Sequence, residues 1–108
     1  MADSFKAREK GAEAKYAHDE ETRFKVMARR NKLLGLWAAG EMGISGAAAD
    51  SYAKEVIAAD FEEAGDDDVL RKVFEDLKGA GVQISEGEVR MKMAELMAQA
   101  RESVREGR

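Results

Sequence analysis

Proline is absent from this chain of 108 residues, so no residue forbids one continuous helix across its first forty positions, where Gly11 and Gly35 are only weak helix breakers. The large apolar side chains of this segment nevertheless lie in its second half, because the first half contains only Phe5 and Tyr16 apart from Met1. A helix of this length measures about 60 Å, whereas a compact domain of about 100 residues has a radius of gyration of about 13 Å. The front half must therefore protrude, fray or dock on another surface, which indicates a binding arm on a small helical body.

The composition is that of one small domain. Hydrophobic residues make up 44% of the chain, enough for one modest core, and charged residues make up 37%. The absence of cysteine excludes disulfides, thiolate chemistry and Cys-ligated zinc. The N-terminus lacks the apolar run of a signal peptide, and no stretch approaches the roughly 18 apolar residues of a membrane span. We expect a cytoplasmic protein without direct membrane insertion.

Charge is distributed unevenly along the chain. Residues 1–32 contain nine Lys or Arg and six Asp or Glu, a balance of +3, whereas residues 33–108 contain nine and sixteen, a balance of −7. An acidic body with a mildly basic arm is a poor nucleic-acid binder and suits a protein partner with an acidic cleft. A chance imbalance on a solvated helix face fits the charge alone equally well.

Glycines and capping residues predict where three helices begin or end. The first helix is expected to end at Glu41–Met42, and Ser45 is positioned to cap the second, which is expected to end at Gly65. Asp66 is predicted to cap the third helix, and Gly79 to follow its last residue as the C′ glycine.

The fourth helix has the clearest start signal in the chain. Ser85 and Glu88 have the spacing of a capping box, in which each side chain bonds the backbone amide of the other. Ile84 and Val89 occupy the positions of a hydrophobic staple.

No alternating β-branched run predicts a strand. The expected fold class is therefore all-α, a four-helix bundle with a protruding or mobile N-terminal helical arm. We divide the chain into an arm at residues 1–19 and a bundle body at residues 20–108. The back half of the first helix is expected to pack on the other three, with Trp37 as the best core candidate.

Recognised catalytic motifs are missing. The chain has no GxxxxGK[ST] loop, no GxGxxG and no HExxH motif, so we predict that it is not an enzyme. His18 pairs with only Glu21 or Thr22 on a helix face, which favours a solvated surface over a metal site. The acidic run at residues 62–68 lacks the alternation of an EF-hand loop, and a weak divalent-cation site there is the lesser alternative to cap and first-turn anions. We therefore assign no metal site.

Arg29, Arg30 and Lys32 form a basic cluster near Trp37. One interpretation is an anion or nucleotide-phosphate site, and the chain would then be a small helical regulatory module that binds nucleotides or anions. The interpretation that we favour is a helix face that balances the acidic turn at residues 62–68.

Three methionines of the fourth helix also have two interpretations. Met91, Met93 and Met97 fit an adaptable partner groove, but methionines at helical spacing more often belong to a core, and we favour the core.

The N-terminal arm is weakly amphipathic. Phe5, Arg8, Glu9, Ala12 and Tyr16 recur at i, i+3, i+4, i+7 and i+11. This pattern matches helix-in-groove recognition with two aromatic anchors. A frayed terminus is the alternative.

Three segments of the chain resemble one known family: AKYAHD at residues 14–19, RRNKLLGLWAAG at residues 29–40 and ADFEEAGD at residues 59–66. The resemblance covers essentially the whole chain, and the second segment is long and specific. The family is a small alpha-proteobacterial one, long catalogued as a domain of unknown function, whose best-understood member is the zeta subunit that inhibits the F-type ATP synthase.

The resemblance implies a four-helix body and a mobile N-terminal segment. In inhibitory members that segment inserts between a catalytic β subunit and its α neighbour, near the rotating γ subunit, where it folds as a helix and blocks rotation in the hydrolytic direction. The implied partners are the α, β and γ subunits of the F-type ATP synthase, which places the chain at the inner membrane only peripherally, and we expect a monomer when it is free. We expect no cofactor, although the resemblance implies weak ADP or ATP binding by some members, for which Arg29, Arg30 and Lys32 are the candidates.

The resemblance also implies which arm residues contact the partner. The matching positions are Phe5, Arg8, Glu9, Lys10, Glu13, Ala14, Lys15 and Tyr16. The chain departs from the family pattern at Gly11-Ala12, where the pattern has alanine followed by an aromatic residue, usually phenylalanine. Glycine costs a helix interior about 1 kcal/mol, and losing a buried phenylalanine costs about 2 kcal/mol. Together these changes predict more than about a hundredfold weaker binding.

Overall fold

The computed structural model describes the backbone of residues 2–60 and 66–107 and the side chains of residues 21–60 and 66–107. Its four helices are α1 at Ala2–Glu41, α2 at Gly46–Ala59, α3 at Asp67–Gly79 and α4 at Glu86–Arg105. No strand occurs in these described ranges. The predicted all-α, four-helix fold is confirmed.

Helix α1 is the longest element and crosses the predicted boundary between arm and body without a break. Its length of about 60 Å accounts for the longest dimension of the molecule, which measures 64 × 25 × 22 Å. Among the described side chains of α1, burial begins at Val26. From there, α1 contacts α2, α3 and α4, as the distribution of apolar residues predicted.

The core lies between the back half of α1 and the inner faces of the other helices. Its members are mostly aliphatic residues at helical spacing. They include Leu34, Ala38, Ala39, Ala49, Tyr52, Val56, Val69, Leu70, Val73, Leu77, Val89, Met93 and Leu96.

Two sequence expectations about the core are wrong. Trp37 is only partly buried and packs at the edge of the core, where its ring lies 5.6 Å from the Lys92 ammonium. This position suits the size of the indole, because tryptophan is seldom buried completely even where most of its ring packs against a core. Met91 is 74% exposed, while Met93 is buried as expected, because the two lie on different faces of α4.

Helix α1 ends at Glu41, as its glycines predicted. Gly43 has φ of +77°. The Ile44 amide donates to the Ala39 carbonyl at 2.8 Å, and the Gly43 amide donates to the Gly40 carbonyl at 3.1 Å. This is a Schellman motif, which satisfies the last carbonyls of the helix and turns the chain into α2.

Helix α3 ends in the same way, but two residues later than the sequence predicted. Gly79 is still helical, and the C′ glycine is Gly81, with φ of +83°. The Val82 amide donates to the Leu77 carbonyl at 3.0 Å. Packing of Val82 against the core, next to buried Leu77, favours this later end.

The start of α4 confirms the predicted capping box. The Glu88 amide donates to the Ser85 hydroxyl at 3.1 Å, and the Ser85 amide donates to the Glu88 carboxylate at 3.4 Å. Val89 is buried and Ile84 packs against the core, as the hydrophobic staple requires.

The other two helix starts have the predicted residue but not the predicted bond. Ser45 and Asp66 occupy the N-cap positions of α2 and α3, and neither side chain makes a capping hydrogen bond. The Asp66 carboxylate instead accepts from Arg30. Helix α2 ends at Ala59, and its predicted end at Gly65 lies outside the described residues.

In the part of the chain that the structure describes, no helix is both long enough and apolar enough to cross a membrane.

Candidate functional site

The predicted contact residues of the arm all fall on the N-terminal half of α1. They are Phe5, Arg8, Glu9, Lys10, Glu13, Ala14, Lys15 and Tyr16, and their side chains lie outside the described residues. Their role in binding stays a prediction. The departure at Gly11-Ala12 lies in the same part of the helix.

The basic cluster of α1 is divided between the interior and the surface. Arg30 is only 1% exposed. Its Nη2 donates to Asp66 Oδ1 at 2.8 Å, and its Nε donates to Asn31 Oδ1 at 2.7 Å. Arg30 thus pairs with the acidic turn before α3, in agreement with the interpretation that we favour, and its side chain is almost fully buried.

The other two members of the cluster lie on a different face. Arg29 Nη1 donates to the Ser103 hydroxyl at 2.6 Å, and Lys32 is exposed. Both line a cavity of about 440 Å³ together with Lys25, which sequence reasoning missed. The signal was available, because positions 25, 29 and 32 are i, i+4 and i+7 of one helix. Nucleotide binding stays a prediction for this face, and amide shifts around residues 29–37 on titration with ADP would test it.

Phe24 is a second feature of this region that the sequence did not single out. Its side chain is 57% exposed, unlike the buried apolar residues farther along α1. It lines the cavity beside Lys25 and also a neighbouring one of about 410 Å³. Ala28 and Ile57 line both cavities too, so the two share one apolar floor.

A polar network ties α2 to α3 on another side of the body. Tyr52 Oη donates to Asp76 Oδ2 at 2.8 Å, and Lys72 Nζ donates to the same oxygen at 3.1 Å and to Glu55 Oε1 at 3.3 Å. Burial, followed by the bond to Asp76, raises the pKa of the Tyr52 phenol well above its usual range. Partial burial lowers the pKa of Lys72, but Asp76 and Glu55 outweigh it, so the net change is upward. The phenol therefore stays protonated at neutral pH, and the network is structural.

This network predicts a loss of stability at alkaline pH. Both groups hold their protons more tightly in the folded chain, so their contribution is fully present below the ordinary pKa values of 10.0 for Tyr52 and 10.5 for Lys72 and is lost as the pH rises through the folded values. We expect Tyr52→Phe to cost about 1 kcal/mol at pH 7, because Lys72 still satisfies Asp76. The variant should also show a shallower decline above pH 10.0 in urea unfolding followed by circular dichroism. An alkaline decline equal to that of the wild type would show that Tyr52 is not its source.

Among the described residues, no group of three acidic or histidine side chains is placed to hold a metal ion. The His18 side chain and residues 62–65 of the acidic run lie outside them.

Comparisons with known proteins bear on the identity of the chain. No curated protein gives a significant match. One solved structure, a solution NMR structure, is similar to the chain with 51% sequence identity and a TM-score of 0.70, over 80% of this chain and 98% of its own. A family model described as ATPase inhibitor subunit zeta matches residues 1–103. Because that match covers all of the chain except its last five residues, the chain belongs to the family of ATPase inhibitor zeta subunits.

Proposed function

We propose that this protein binds the catalytic head of an F-type ATP synthase and inhibits ATP hydrolysis. The observation that carries the proposal is the family match, which extends over residues 1–103 and so includes the arm as well as the body. The protein performs no chemistry in this role. It acts by occupying a surface that must move during catalysis.

The arm at residues 1–19 is the proposed effector. It inserts at an interface between a catalytic β subunit and an α subunit, next to the γ subunit, with Phe5 and Tyr16 as its aromatic anchors. A helix held there prevents the interface from completing its cycle of opening and closing, so hydrolysis stops. The amphipathic spacing of the arm supports this mode of binding, because helix-in-groove recognition uses apolar anchors on one helix face.

The body at residues 20–108 holds the arm in place. The continuity of α1 from Ala2 to Glu41 supports this, since a force on the arm is transmitted along one helix into the core. Within the body, α1 is fixed by the ion pair between buried Arg30 and half-exposed Asp66 and by its close contact with α2 at Gly35.

The test is steady-state ATP hydrolysis by the cognate ATP synthase head, titrated with the full chain and with a form lacking residues 1–19. The core begins at Val26, so the shortened form is expected to keep its cooperative thermal transition, which circular dichroism checks. We expect inhibition by the full chain only. Full inhibition by the shortened form would refute the arm as effector, and no inhibition by the full chain would refute the proposed function.

Restoring the family pattern within the arm should strengthen inhibition. We expect Ala12→Phe to lower the inhibitory concentration about thirtyfold, because a phenylalanine buried in the partner's cleft contributes about 2 kcal/mol. The matched control is Ala98→Phe, the same change at an exposed position of α4, which should leave inhibition unchanged. Equal potency of Ala12→Phe and the wild type would mean that position 12 does not enter the cleft.

A further inference from the structure

Three cationic side chains form a row along the middle of α1. Lys25, Arg29 and Lys32 are at i, i+4 and i+7, so they lie on one face and extend over about 10 Å of the helix axis. All three line the same cavity of about 440 Å³, and no carboxylate is among its described lining residues. This positive row contrasts with residues 33–108, whose net charge is −7.

The floor of this cavity is apolar. Phe24, 57% exposed, and Ala28 come from α1, Ile57 comes from α2, and Val104 closes the side formed by α4. The floor continues into the adjoining cavity of about 410 Å³, whose lining adds Met27 and the polar residues Arg23, Asn31 and Asp60. An apolar floor with a cationic rim is typical of a protein-binding surface, in which buried apolar contacts are surrounded by charges that select the partner.

The cations are held in different ways. Arg29 is fixed against α4 by its bond to Ser103, so its position is set before any partner arrives. The Lys25 ammonium lies 3.6 Å from Glu21, but both side chains are well exposed, and such a pair contributes little. Lys32 is exposed. The partner therefore meets one preorganised guanidinium and two ammonium groups that adjust to it.

We propose that this groove, defined by Phe24, Lys25, Ala28, Arg29, Lys32 and Ile57, is a second docking surface that binds an acidic amphipathic helical segment of the ATP synthase head. The inference rests on the proposed function and adds a contact made by the body. Carboxylates at i, i+4 and i+7 of the bound segment match the row of cations. An apolar side chain from the same segment covers Phe24.

Charge and dimensions favour this occupant over others. A single phosphate group is too small to contact cations that are spread over about 10 Å of the helix axis. It also has no apolar surface that could pack on the apolar floor. An anionic membrane surface would also face the acidic remainder of the body, which repels it. A short acidic segment contacts only the positive row.

The test measures binding of the full-length chain to the purified cognate head by biolayer interferometry at low and physiological salt. The variant is Lys25→Glu/Lys32→Glu, and the matched control is Lys54→Glu/Arg101→Glu, which makes the same change in charge at exposed positions of α2 and α4. We expect the variant to raise Kd at least about tenfold, more at low salt, and the control to change it less than about twofold. Thermal unfolding of both should match the wild type.

A cross-link identifies the bound segment. Because the chain has no cysteine, Ala28→Cys provides a unique site for a benzophenone label, and exposed Ala98→Cys provides the control. We expect position 28, and not position 98, to yield an adduct with an acidic peptide of the head.

The outcomes separate this inference from the proposed function. If Lys25→Glu/Lys32→Glu binds the head with wild-type affinity while the wild-type chain inhibits hydrolysis, the groove is not a docking surface. The proposed function then still stands. Failure of the wild type to bind the head would overturn both. Co-sedimentation of the wild type with phosphatidylglycerol vesicles, lost in the variant, would assign the groove to a membrane and overturn the proposal.

Discussion

Replacing Gly35 by leucine is expected to lower the free energy of unfolding by about 4 kcal/mol or more. A Cβ atom at this position would lie 2.5 Å from the Ala53 Cα and 3.1 Å from its Cβ, so the obstacle includes backbone, which no rotamer change relieves. Helices α1 and α2 would have to separate, and the buried contacts of Leu34 and Val56 would loosen with them. Gly35 is required here for the close approach of two helices.

Gly40→Leu is the matched control for this prediction. Gly40 is in the same helix, it is exposed, and a Cβ there meets nothing within 4 Å. Leucine is a better helix former than glycine by up to about 0.8 kcal/mol, so this variant should be as stable as the wild type or slightly more so. Urea unfolding followed by circular dichroism measures both. Similar stabilities of the two variants would show that α1 and α2 do not approach closely at position 35.

Replacing Asp66 by alanine is expected to cost about 3 kcal/mol, far more than an ordinary surface aspartate. Its side chain is 45% exposed, but its partner Arg30 is almost fully buried and cannot lose its proton. Without Asp66, the guanidinium keeps its charge in the interior, with Asn31 as its one partner shown by the structure. Because Asp66 is partly exposed, water has some access to the guanidinium from that side. We therefore place the cost at the lower end of the range for breaking a buried ion pair.

Two controls isolate the buried charge. Asp67→Ala removes an aspartate next in sequence that is 81% exposed and 3.6 Å from exposed Arg90, and it should change stability by less than about 1 kcal/mol. In an Arg30→Met background, which has no buried charge, Asp66→Ala should likewise cost less than about 1 kcal/mol. A loss of the same size in both backgrounds would attribute the effect of Asp66 to the start of α3 and not to Arg30.

The sequence correctly predicted those helix ends for which all the residues of the signal lie within a few positions of each other. The capping box of Ser85 and Glu88 and the end of α1 before Gly43 are confirmed, because each depends on hydrogen bonds between neighbours in the chain. The buried residues of α2, α3 and α4 recur at helical spacing along each helix, whereas Phe74 of α3 is only partly buried.

Two of the predictions that were wrong, those for Asp66 and Gly79, depended on contacts with the rest of the fold. Asp66 has the right position for a cap, but a charged partner 36 residues away takes its carboxylate. The guanidinium of Arg30 adds an attraction between opposite charges that a backbone amide does not offer. Gly79 had a plausible sequence for a helix end, yet α3 continues to it and turns at Gly81, where Val82 reaches the core.

The candidate site likewise has one part that the sequence predicted and another part that depends on the tertiary structure. The sequence identified the arm and its departure from the family pattern at Gly11-Ala12, and it placed Arg29, Arg30 and Lys32 in one basic cluster. It did not predict that Arg30 points inward, nor that Lys25 joins the other two beside Phe24, because Ile57 and Val104 reach this region only through the packing of α2 and α4 on α1.

The sequence by itself determined the all-α class, a first helix that is longer than the body, and the membership of the chain in its family. Each of these follows from helix capping, apolar spacing or motif identity, which are properties of residues close together in the chain. Only the tertiary structure decided which cation is buried, which residue Asp66 binds and where an apolar floor is left beside a row of positive charge. These depend on how closely the helices pack, and that distance is set by contacts such as Gly35 against Ala53, between residues far apart in the chain.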